Sequence, residues 1–135
     1  MRRILVPIVS FALLVGFSHP SGFGEDPQNV TELMRKKLKH AQAVLEGIAV
    51  NDFDKIAQSS DELMLISKAA EWRVVKTPDY DLHSNSFRRA CESLKEKAKE
   101  KNLDGAALAY VDLTLSCVRC HKYVRDTRMT RLDRR

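Results

Sequence analysis

From Gln28 to the C-terminus a single proline, Pro78, interrupts the chain, and that one fact removes most fold classes. Strands and their turns are punctuated by proline and glycine, so a run this free of both speaks against an all-β fold and for long helices. Only five glycines and four prolines occur in 135 residues, a length that suits one domain. Charged residues make up 30% of the chain, and the net charge of +5 arises from short basic clusters rather than one polybasic run. Nucleic-acid binding is therefore not expected.

Arg2 and Arg3 precede an apolar run from Ile4 to Phe17, followed by Gly22-Phe23-Gly24. A short basic start, an apolar stretch and small residues at its end are the marks of a cleaved secretory signal, here residues 1–24. The run is shorter than the roughly 20 apolar residues a membrane span needs, and Pro7, Ser10 and Gly16 break it. The expected mature domain, residues 25–135, is near the size at which one modest core is marginal without a staple or cofactor.

Hydrophobic periodicity divides that domain into four helices. The first, capped by Asn29 or Thr31, runs to about Val50; Val30, Leu38, Ala41, Leu45 and Ile48 all fall within about 40° of Met34 at 100° per residue. The second runs from near Asp52 to about Val75, burying Phe53, Ile56, Ala57, Leu63, Met64, Ala70 and Val74. Lys76 to His83 is the longest connection. The third helix, capped by Ser84 or Ser86, carries Phe87, Ala90, Cys91, Leu94 and Ala98 and ends near Lys101. After a turn over Asn102 to Gly105, with Asp104 as its cap, the fourth runs from Ala106 to about Arg125. Tyr110, Thr114, Cys117, His121 and Val124 form its inward seam, and the arginine-rich tail beyond is expected to fray. Amphipathic helices joined mostly by short connections predict an all-α, antiparallel up-down-up-down four-helix bundle.

Cys117-Val118-Arg119-Cys120-His121 carries the chemistry. On a helix these two thiols and the imidazole fall at relative angles of about 0°, 300° and 40°, sharing one face. A redox dithiol needs its reactive thiol at a helix N-terminus, and this motif lies near the C-terminal end, where the dipole has the opposite sign. A structural zinc site needs four ligands, and Cys91 supplies no second pair. The remaining chemistry is attachment of one covalent haem c, with Cys117 and Cys120 as thioethers and His121 as the proximal iron ligand.

On these residues the chain resembles the cytochrome c′ family and its low-spin four-helix-bundle relatives, exported proteins with Cys-x-x-Cys-His near the end of the last helix. Arg125, four residues beyond His121, and Met34-Arg35 in the first helix extend the likeness, which covers the mature chain. The resemblance implies electron transfer where a methionine closes the sixth iron position, or binding of NO or CO where that position stays open. High-spin members tend to carry an arginine about one turn before the distal position, where this chain has Val30.

Bundle topology puts the start of the first helix and the end of the fourth at one end, with Met34 and His121 each about four residues in, or roughly 6 Å at 1.5 Å per residue. Met34 is thereby the expected distal ligand, with His83 as its rival. Met64 reads as core packing, His40 as exposed, and Cys91 as a small buried hydrophobe. Trp72, Tyr80 and His83 approach the haem through the long loop, Trp72 packing on the macrocycle, while Lys37 and Arg125 are placed to meet propionates. The expected function is an exported, periplasmic monohaem cytochrome carrying one electron and transforming no substrate. Redox proteins are its expected partners; a homodimer is compatible with the sequence, and no membrane anchor remains after signal cleavage. A peroxidase lacks its distal acid–base pair here.

Overall fold

The computed structural model describes residues 27–70 and 75–132, and the proposed signal segment, Trp72, Val74 and the terminal arginines Arg134 and Arg135 lie outside them. The described residues form four helices and no strand: α1 (Pro27–Ala49), α2 (Phe53–Ala70), α3 (Pro78–Lys99) and α4 (Leu103–Leu132). None of these helices is long and apolar enough to cross a membrane.

Two turns of the same construction join α1 to α2 and α3 to α4. Asn51 and Lys101 each take the left-handed conformation, at φ 58° and 53°. The following residue then donates its N–H back five positions, Asp52 to the Gly47 carbonyl at 2.8 Å and Asn102 to the Lys97 carbonyl at 2.9 Å. This 6→1 bond closes the outgoing helix. The same Asp52 and Asn102 start the next helix: their side-chain oxygens accept the N–H groups of Lys55 at 2.9 Å and Gly105 at 2.8 Å. One residue thus ends one helix and begins another, which is why these connections are so short. Asn102, rather than Asp104, is the cap of α4.

The third helix begins earlier than its periodicity suggests. Pro78 fits the first helical position, where its fixed φ is suitable and its missing N–H costs nothing. Thr77 caps the helix by accepting the Tyr80 N–H at 3.2 Å. Tyr80 and His83 therefore stand on α3 rather than in a loop, and Ser84, expected as a cap, is a buried side chain. Helix α4 likewise continues past Arg125 through the basic segment to Leu132 instead of fraying.

One core joins all four helices: Val44 from α1, Ile56 and Leu63 from α2, Phe87, Ala90, Cys91, Leu94 and Ala98 from α3, and Ala106, Ala109 and Leu113 from α4. All five residues expected on the inward face of α3 are among them. Phe53, Ala57 and Met64 pack at the core's margin. Ser60 and Ser116, which no apolar pattern marks, are also buried, and each hydroxyl donates at 2.7 Å to a carbonyl of its own helix, at Ile56 and Leu113. Ion pairs Lys55–Glu46 and Lys95–Asp61, both 2.7 Å, clasp α1 to α2 and α2 to α3 on half-open surface, where each is worth about 1 kcal/mol or less. Buried carbon matters more. Leu94→Ala should lower unfolding stability by about 2 to 5 kcal/mol, a large part of the few kcal/mol a small domain holds; a urea melt followed by circular dichroism measures it.

Helix α1 is turned relative to its apolar stripe. Leu38 and Leu45, expected inward, are 61% and 50% exposed, while Val44 is fully buried. Gly47 is the physical reason. A Cβ there would lie 2.9 Å from the Ile56 side chain and 3.0 Å from the Asp52 carbonyl, so α1 and α2 meet at closest approach along the Gly47 side. The buried face accordingly runs through Lys37, Ala41, Val44 and Ile48. Met34 is half-buried at its flank, about 60° to 80° from the centre by helical spacing. Along the chain α1 packs on α2, α2 on α3 and α3 on α4, whereas α1 meets α4 only sparingly.

Candidate functional site

The inward line of α4 is Ala106, Ala109, Leu113 and Ser116, all buried. It lies about 60° from the middle of the expected seam, so Thr114 and His121 are exposed and Tyr110, Cys117 and Val124 are half-buried. Cys117 and Cys120 fall on either side of that inward line, about 40° and 20° from the direction of Leu113, and both are half-buried. His121 is next along the helix at the edge of the face. The order is what a single helix turn imposes: two thiols toward the bundle and the imidazole toward solvent.

Three contacts fix the surroundings. Near the end of α4 the Tyr123 hydroxyl shares a 2.7 Å hydrogen bond with the Thr77 hydroxyl at the start of α3. The Tyr123 ring also stacks obliquely on His83, with centroids 5.2 Å apart and planes inclined at 43°. His83 is thus engaged with an aromatic partner, and Tyr80, one turn earlier on α3, is buried. From α1, the Lys37 ammonium lies 4.5 Å from the centroid of the Phe87 ring, a cation–π contact. Arg125 and the exposed end of α4 project into solvent, and His40, expected to be exposed, is half-buried.

Electrostatics tie Lys37 to the cysteines. Burial pushes the Lys37 pKa down, and the thiols of Cys120, Cys117 and Cys91 act against that shift. Burial raises both Cys117 and Cys120, with the Lys37 charge pulling each back. All three thiols are therefore protonated near neutral pH, the opposite of the depressed pKa a reactive redox dithiol requires. Cys91, fully buried, is pushed up to about 12. In chain made without haem, a maleimide at neutral pH should modify Cys117 and Cys120 and spare Cys91 until the fold is denatured. Mass spectrometry after digestion reads the pattern, and early labelling of Cys91 would contradict its burial.

No three His, Cys, Asp or Glu side chains among the described residues converge as a metal-holding group. The donors for a tetrahedral zinc are not assembled there, and a ligand set built from His121 needs its remaining donors from elsewhere. The apolar pattern missed the centrality of Lys37, which it offered only as a partner for a propionate. It also missed Phe87 as the ring beneath the ammonium. The signal was present in Gly47: a small residue on a helix face marks the side from which another backbone approaches. Comparison of the chain with protein-family models, with curated proteins and with solved structures finds no match.

Proposed function

We propose that the chain is an exported monohaem c-type cytochrome of the up-down-up-down four-helix class, transferring one electron between redox proteins of the periplasm without acting on a substrate. One observation carries the reading: two half-buried thiols three residues apart share a face of α4, and the adjacent His121 stands exposed at its edge. That donor set fits a covalent haem, because both thiols point to one side and the imidazole can swing over the same side. The sparse packing of α1 on α4 supports the reading, because it leaves the α1 side of α4 less covered than the α3 side.

Bound haem supplies the one-electron iron couple. The chain's own residues then have separable tasks. Cys117 and Cys120 would hold the group covalently, His121 would supply a nitrogen ligand to its iron, and Phe87 would offer an apolar ring on the α3 side. Met34, half-buried on α1, offers a thioether for the sixth position. Lys37 carries a positive charge beside the cysteines, which would favour ferrous over ferric iron in a haem held there and could meet a propionate.

A second reading, an open sixth position that takes NO or CO, is favoured by the placement of Met34 at the flank of the buried face rather than at its centre. An absorption spectrum of the ferrous protein separates the two. A low-spin spectrum unchanged by carbon monoxide supports the His121–Met34 pair, and a high-spin spectrum that carbon monoxide converts supports gas binding.

A further inference from the structure

Helix α4 is apolar on two sides. Opposite the buried line through Leu113 stand Leu108, Val111, Leu115 and Val118, which are 71%, 55%, 41% and 56% exposed. Their spacing of three, four and three residues is that of alternating a and d positions in a helix-pairing seam. The seam lies about 140° to 220° round the helix from Leu113, and no described element of the chain covers it. Exposed charges edge it: Asp104 and Asp112 toward the start, Arg119 and Lys122 toward the end. Neither Asp112 nor Arg119 forms an ion pair among the described residues.

We propose that this outer face of α4 is a homodimer interface, packing on the same face of a second copy with the two helices antiparallel. The pattern is self-complementary in that direction. With a two-fold axis level with Leu113, Leu108 meets Val118 of the second copy and Val111 meets Leu115, so all four layers are satisfied by one operation, as an isologous contact demands. The same axis sets Asp104 level with Lys122. Helical side chains lean toward their own N-terminus. In an antiparallel pair this brings each Asp112 carboxylate toward the Arg119 guanidinium of the other copy. Parallel pairing instead sets Lys122 against Lys122 and Arg125 against Arg125. Like charges at a seam are repelled, so charge selects the orientation.

From Leu108 to Val118 the seam is about 15 Å long at 1.5 Å per residue. That is short of what a permanent interface buries, and the dimer is a reversible one. Val118 lies inside the Cys-x-x-Cys-His segment, so the interface backs directly onto the candidate site through the thickness of one helix. The proposal does not depend on haem, since none of its residues belongs to the attachment set.

Sedimentation velocity of the purified full chain over a concentration series tests it. Wild type should move from monomer toward dimer as concentration rises, and Leu115→Glu should stay monomeric with an unchanged helical circular dichroism spectrum. Asp112→Arg and Arg119→Asp should each weaken association, because each leaves like charges facing across the seam. Mixing these two variants in equal amounts should restore dimerisation, with opposite charges meeting again between unlike copies. A wild type that stays monomeric throughout overturns the proposal. So does a dimer that survives Leu115→Glu, or a mixture no better associated than its components. A monomer whose N-terminal 26 residues become protease-sensitive only in Leu115→Glu would assign the face to that segment instead.

Discussion

Chain exported from a host equipped for haem attachment should keep its haem through denaturation and acid extraction, and Cys117→Ala with Cys120→Ala should release it completely. The expectation rests on the two half-buried thiols facing one side of α4. A thioether survives unfolding and acid, whereas a group held by coordination alone would be released when the fold opens. Either single alanine variant leaves one thioether, so the haem stays covalent at lower yield. The double variant retains only coordination, and mass spectrometry of the denatured chain should show a bare polypeptide. His121→Ala is the complementary case: attachment persists, but the proximal nitrogen is gone and the spectrum changes. Haem that extracts freely from wild type would sink the assignment. Stability should follow attachment, because a small core gains from a large apolar group fixed to it. The haem-free chain is expected to melt at lower temperature than the loaded one.

The second large effect concerns the sixth iron position. If the Met34 thioether occupies it, Met34→Ala removes a coordinate bond and the haem becomes high-spin, binding carbon monoxide readily. The reduction potential should fall as well, since a thioether favours ferrous iron. If Met34 only packs, the change opens a small cavity at a half-buried position. That costs less than the roughly 2 to 5 kcal/mol of a fully buried site and leaves the spin state as it was. Lys37→Gln gives the control from the same helix face. Removing a cation near the iron should lower the potential without altering the spin state, because charge acts at a distance and ligation does not. A wild type already high-spin, with Met34→Leu spectroscopically silent, would move the reading to gas binding.

Much of the fold is legible in the residues themselves because helix formation is local. The scarcity of proline and glycine, the apolar face of α3 and the spacing within Cys117-Val118-Arg119-Cys120-His121 depend only on 3.6 residues per turn. Each requires no knowledge of a neighbour. Turn chemistry is also local, yet it is easily read one residue wrong. Thr77 before Pro78 is a complete start signal for α3, and the serines at 84 and 86 drew attention from it only because apolar periodicity becomes clear later, at Phe87.

The rotation of each helix about its own axis is a different kind of property. Hydropathy places the stripe of α1 on Met34, Leu38 and Leu45, and the tertiary structure turns that stripe aside to bring Gly47 against Ile56 and Asp52. The closest approach of two backbones, which a missing Cβ allows, outweighs the burial of two leucines. The same turn carries Lys37 to Phe87 and beside the cysteines. On α4 two apolar faces compete, and nothing within the helix says which one the other three will cover. The sequence by itself therefore determined that there are four helices, where α2 begins, and which residues line the inward face of α3. Which face of α1 and of α4 looks inward was decided only by packing, since burial is a property of the pair in contact and not of either helix alone.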